Sequence, residues 1–133
     1  MDIKKYTGYF HDGSILAIQH QGNNLVISME SAEMNEEDKL DDVVFSKEDS
    51  ILGKLHLEGV KSILDKHLGR ITKLEMKNEH AGICHFEFNE SHVEFQIRWE
   101  SFPFNRFDED FSVVKIEAEK IWWENCPDMP DPQ

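Results

Sequence analysis

The stretch "GICHFEFNESHVEFQIRWE", residues 82–100, decides the fold class. In its first arm Cys84, Phe86 and Phe88 share one side and His85 and Glu87 the other. In its second arm Val93, Phe95, Ile97 and Trp99 oppose His92, Glu94, Gln96, Arg98 and Glu100. A period of two marks a strand with one buried and one solvated face. "NES" between the arms has the composition of a tight turn, so the stretch predicts an antiparallel hairpin.

The same alternation recurs on both sides of it. "SILAIQHQ" (14–21) and "NLVISMES" (24–31) flank Gly22 and Asn23, residues that tolerate the positive φ of a hairpin turn. Leu25, Ile27 and Met29 then make the inner face of that second arm. "LGKLHLEGV" (52–60) sets Leu55 and Leu57 inward against Lys54, His56 and Glu58, and "ITKLEMK" (71–77) reads as a strand with Leu74 and Met76 inward. "FSVVKIEAEKIWWE" (111–124) places Val114, Ile116, Ala118 and Trp122 on one face and Lys115, Glu117 and Glu119 on the other.

"VKSILDKHLGR" (60–70) supports two readings. Val60, Ile63, Leu64, His67 and Leu68 fit helical spacing with Gly69 as a cap, whereas "VKSIL" after a Glu-Gly turn reads as a strand. The strand is preferred. Seven to eight strands and no long helix predict an all-β chain, an antiparallel meander forming a sandwich or partly open barrel. The alternative is an α+β fold with one short helix near 60–68.

With 133 residues the chain makes one domain, placed at 1–125, with a Pro-rich, frayed tail at 126–133. Residues 30–50 form an acidic insertion: nine carboxylates against Lys39 and Lys47 leave −7 in 21 residues. Self-repulsion predicts that this segment is exposed and extended or mobile. No apolar run follows the N-terminal lysines, and no stretch approaches the roughly 18 apolar residues of a membrane-spanning helix. A cytoplasmic protein is expected. Cys84, read onto the apolar face, and Cys126, in the tail, are expected to be reduced thiols.

Fourteen basic and 27 acidic residues give a net charge of −13, which repels phosphate backbones and anionic lipid and favours a basic partner. Catalytic motifs are scarce. His11 and Asp12 in "FHDGSI" (10–15) could form a metal or acid/base dyad, but Asp before Gly at the start of a strand predicts a turn. The seven histidines lack H-x-H or H-E-x-x-H spacing and read as solvated surface groups. No calcium loop, phosphate-binding glycine loop, C-x-x-C pair or nucleophile elbow occurs. Neither an enzyme nor a cofactor is implied, and no catalytic or metal-binding residue is nominated.

"WESFPFNRFDEDF" (99–111) gathers Phe102, Phe104, Phe107 and Phe111 around Pro103 and Arg106. Such a loop either plugs one end of the fold or presents an apolar recognition patch with an acidic rim. The candidate partner-binding residues are therefore Glu33, Glu36, Glu37, Asp38, Asp41 and Asp42 with Phe102, Phe104, Arg106 and Phe107.

"YFHDGSILAI" (9–18) together with "LHLEGVKSI" (55–63) resembles a loosely defined set of small bacterial proteins, mostly of unassigned activity. These share an F-H-D-[GSA]-x-[IL] opening to a first hairpin and a later strand ending in Glu-Gly-Val. Some resemble immunity proteins of polymorphic toxin systems. The resemblance covers about a fifth of the chain and implies binding without supplying catalytic residues. The acidic insertion and the aromatic loop have no counterpart in that pattern. The leading expectation is thus a protein-binding module, immunity-type or otherwise, that engages a basic protein partner. The alternatives are a small-ligand carrier with an apolar pocket lined by residues such as Phe86, Phe95 and Trp99, and a metal-dependent enzyme centred on His11 and Asp12.

Overall fold

A computed structural model describes residues 3–39, 42–77, 80–89, 91–100 and 110–130. Its strands are β1 (Ser14–Gln21), β2 (Asn24–Glu30), β3 (Leu52–Asp65), β4 (Gly69–Ile71), β5 (His80–Asn89), β6 (His92–Glu100) and β7 (Asp110–Asn125). All pairings are antiparallel in a single sheet of order β2-β1-β5-β6-β7-β3-β4. An additional β2–β3 pairing, Leu25 opposite Leu57 through Glu30 opposite Leu52, joins the ends, so six strands form a ring and β4 hangs from the far end of β3. The result is ring-like without being a regular barrel. The seam between β1 and β5 is short, with only Ser14 opposite Gly82 and Ile15 opposite Ala81.

The hairpin at 80–100 forms with Asn89 opposite His92, and Phe95, Ile97 and Trp99 are buried as their alternation requires. The first hairpin turns at Gly22, whose φ is +61°, and Leu25, Ile27 and Met29 lose all exposure to solvent. Residues 60–65 continue β3 rather than forming a helix. Ile63 faces the core and Leu64 the solvent, which suits a strand and leaves the helical spacing accidental.

Four expectations need correction. Residues 73–77 are not a strand; Leu74 is still buried and Met76 half-buried, but the backbone of Leu74 donates to Nε2 of His20 on β1 instead of to a ladder. Trp122 lies outside and Trp123 inside, because the alternation of β7 changes phase between Ala118 and Ile121. The change falls opposite Gly59, where a φ of +65° turns the β3 backbone and lets β2 and β4 pair with different halves of one strand. Cys84 is not a core residue; it is the extra residue of a β-bulge between Ile83 and His85 and is half-buried. The start of the tail is tied down, since the N–H of Cys126 donates to Leu52 and that of Met129 to Cys126.

An N-terminal 3-10 helix, Ile3–Phe10, packs on β5, an element that the hydrophobic pattern of the sequence does not announce. Its buried side chains Ile3, Tyr6 and Phe10 fall on one face at spacings of three and four. Phe10 stands edge-on to both Phe86 (5.4 Å) and Trp123 (5.6 Å), so helix, β5 and β7 share one aromatic contact.

Candidate interaction surface

The interior contains ordinary packing. Phe86 stacks on Phe95 at 4.9 Å, and the indole N–H of Trp99 donates to Ser112 Oγ at 2.8 Å. Among the described residues no buried side-chain nitrogen or oxygen lacks a hydrogen-bond partner. The buried carboxylate of Asp65 accepts the backbone N–H groups of His67 and Leu68, which makes it a turn-forming device.

The opening "FHDGSI" is a turn. Asp12 has a φ of +67° and its N–H donates to Ile83, while Gly13 approaches β2 so closely that a Cβ would meet the Glu30 carbonyl at 2.3 Å. His11 Nδ1 lies 2.5 Å from the Cys84 carbonyl, so the ring bonds to backbone at the bulge. His11 and Asp12 are both largely exposed, with Nε2 and Oδ2 3.7 Å apart.

The acidic insertion is built more firmly than its charge suggests. Met34, Val43 and Ile51 are buried in the core, and Ser31 and Ser50 bond back to the chain, Ser31 Oγ accepting from Ile51 N–H and Ser50 Oγ donating to Glu30. Lys39 bridges Glu36 (3.0 Å) and Asp49 (2.6 Å), contacts that push its ammonium pKa up, the hydrogen bond to Asp49 most strongly. The Tyr6 hydroxyl donates to Asp42 at 2.5 Å. Burial, and then that bond, push the phenol up to about 12.

Glu33, Glu36, Glu37 and Asp42 are exposed and Asp38 is half-buried. Glu36 and Asp42 are engaged internally, whereas the carboxylates of Glu33, Glu37 and Asp38 have no hydrogen-bond or ion-pair partner among the described residues. Asp41, Phe102, Phe104, Arg106 and Phe107 lie outside the described residues. The acidic residues on the 3-10 turn Glu36–Asp38 are thus brought together, and their relation to the aromatic loop is not part of the described structure.

A second polar surface lies on the outer face of β3 and β7. Trp122, 39% exposed, stacks on His56 at 4.0 Å and donates its indole N–H to Glu58. His56 Nε2 lies 2.8 Å from Glu124, whose carboxyl this bond holds below the ordinary range. The signal that could have located this surface was the adjacent pair Trp122–Trp123, which cannot both face inward from one strand. Cys84 and Cys126 form no disulfide, and burial pushes the pKa of the Cys126 thiol up. Among the described residues one group could hold a metal ion, His85, Glu87 and Glu94 on the outer face of β5 and β6.

Comparison with protein-family models, curated proteins and solved structures found no match. No helix among the described residues is long and apolar enough to cross a membrane.

Proposed function

We propose that the protein is a protein-binding module that engages a basic protein partner through the acidic insertion. The observation that carries this reading is the placement of Glu33, Glu37 and Asp38, without side-chain partners among the described residues, on a segment anchored by Met34 and Val43. Anchored carboxylates present a fixed negative potential, which speeds encounter with a positive surface and loses effect in salt. The net charge of −13 extends that field and disfavours nucleic acid and anionic membrane. An immunity-type role, binding and blocking a basic toxin, is the specific form favoured by the sequence resemblance. The two thiols outside any disulfide suit a cytoplasmic setting. A ligand-carrier role is less favoured, because Phe86, Phe95 and Trp99 are each at most 4% exposed and pack within the core.

The test is copurification from the native host in low salt, followed by kinetics on the captured partner. Combining Glu33→Gln, Glu37→Gln and Asp38→Asn is expected to lower the association rate and its salt dependence while leaving dissociation nearly unchanged. A partner that is not basic, or whose association ignores both salt and these substitutions, refutes the reading.

A further inference from the structure

We propose that His85, Glu87 and Glu94 form a binding site for a divalent transition-metal ion on the outer face of the β5–β6 hairpin. The bulge at Cys84 creates the arrangement. Ile83 and Phe86 both face the core, which strict alternation forbids for residues three apart, and the extra residue resolves the conflict. The same shift turns His85 and Glu87 outward together. Across the ladder Glu94 stands directly opposite Glu87, so strand geometry places one imidazole and two carboxylates on one small area.

The donor atoms of the three side chains lie within 4.8 Å of one another, with His85 Nε2 3.7 Å from Glu87 Oε2. Donors bound at about 2.1 Å to one ion sit roughly 3.0–3.4 Å apart, so contraction by about an ångström completes the set. His85 and Glu87 are 54% and 66% exposed, which leaves both free to make that adjustment. The imidazole nitrogen sets this group apart from a patch of carboxylates. One nitrogen and two oxygens suit zinc, cobalt or manganese, and the imidazole disfavours calcium or magnesium. Three protein ligands leave the remaining positions to water.

Charge supports the same conclusion. Glu87 and Glu94 face each other across a strand pair, an arrangement that destabilises a sheet unless a cation intervenes. Lys115 is the cross-strand neighbour of Glu94 on the other side, yet among the described residues no ion pair involves either one. Of the two carboxylates only Glu87 has an ion-pair partner among the described residues, His85 at 3.7 Å, and Lys115 borders the same outer-face pocket as both glutamates without pairing to either.

The experiment is titration of chelator-stripped full-length protein with Co2+, followed by visible absorption, and with Zn2+, followed by calorimetry. One saturable site is expected. His85→Ala and Glu94→Gln should each weaken it at least about tenfold, since even groups outside the coordination shell carry effects of 10–100-fold. His92→Ala, which alters a neighbouring imidazole that lines a pocket with Glu87 and Glu94, should leave it unchanged. Absence of binding, or equal binding by all three variants, overturns the assignment, and so does loss at His92→Ala with retention at His85→Ala. In metal-free protein Glu94→Gln should raise the melting temperature by removing the like-charge contact. A lowered melting temperature would mean that the carboxylate already has a stabilising partner, which sinks the argument.

Discussion

The bond between Tyr6 and Asp42 joins the N-terminal helix to the acidic insertion 36 residues later and makes the anchoring of that insertion measurable. Replacing Tyr6 by Phe removes one hydroxyl and leaves the buried ring. A hydrogen bond to a charged group contributes about 1.5–3 kcal/mol. Asp42 is exposed and water replaces its lost donor, so the lower end applies and Tyr6→Phe should cost about 1–2 kcal/mol at neutral pH. The alkaline limb is more diagnostic. In the folded protein the phenol is raised from 10.0 to about 12, first by burial and then by the bond to Asp42. A raised folded pKa means that the contribution is complete below pH 10 and is lost as the pH climbs toward 12. At 1.36 kcal/mol per unit, the full loss is bounded at about 2.7 kcal/mol. Wild type therefore loses stability above pH 10 through a group that the Phe variant lacks, and the gap between them should narrow by about 1 kcal/mol from pH 9 to pH 11. Urea unfolding followed by tryptophan fluorescence at pH 7, 9 and 11 measures it. A Phe variant as stable as wild type at pH 7, or a gap that stays constant up to pH 11, would refute the reasoning.

Gly53→Ala should destabilise by about 2 kcal/mol or more, because the new Cβ would lie 2.2 Å from the Glu124 carbonyl and 2.7 Å from the Trp123 ring, and β3 and β7 are both central strands with no room to part; thermal unfolding checks it. Glu124→Gln should cost stability only where the carboxylate is ionised. The folded pKa is depressed by His56, so the contribution is present above the ordinary glutamate value of 4.5 and disappears as the pH falls below it. Unfolding curves of wild type and variant should therefore differ at pH 6 and converge in acid.

The strands were legible wherever alternation was undisturbed. Residues 92–100 and 24–30 show their faces letter by letter, because neither strand carries an extra residue itself: the bulges in their ladders lie in the partner strands β5 and β1. Legibility ended where the backbone changes phase. Period-two counting misplaces Cys84 and Trp122 for one reason: a bulge or a positive-φ glycine shifts the alternation by one, and the count carries the error to the end of the strand. Residues 73–77 failed differently. Their inward Leu74 was right, but an imidazole took the place of the partner strand, and sequence alternation holds no record of what supplies the hydrogen bonds. The N-terminal helix is not legible because eight residues with only Ile3, Tyr6 and Phe10 inward offer little periodicity to count. As for the proposed partner surface, composition locates the charge but not the anchoring of Met34 and Val43, which depends on contacts distant in sequence.

Closure of the ring and the chemistry of its exterior have a common cause. A sheet that bends back on itself needs irregular residues, and here the register shifts at Ile15/Ala17, Ile83/His85 and Val60/Ser62, while Gly59 takes a positive φ within β3. Each irregularity also re-aims a side chain. The shift in β5 turns His85 and Glu87 outward toward Glu94, and the phase change opposite Gly59 turns Trp122 out to stack on His56. With the core filled by aliphatic and aromatic groups, these clusters and the anchored acidic turn gather polar side chains on the exterior of the described residues. Their positions follow from the demands of packing: a residue inserted to keep Ile83 and Phe86 inside is the same one that brings an imidazole beside two carboxylates outside.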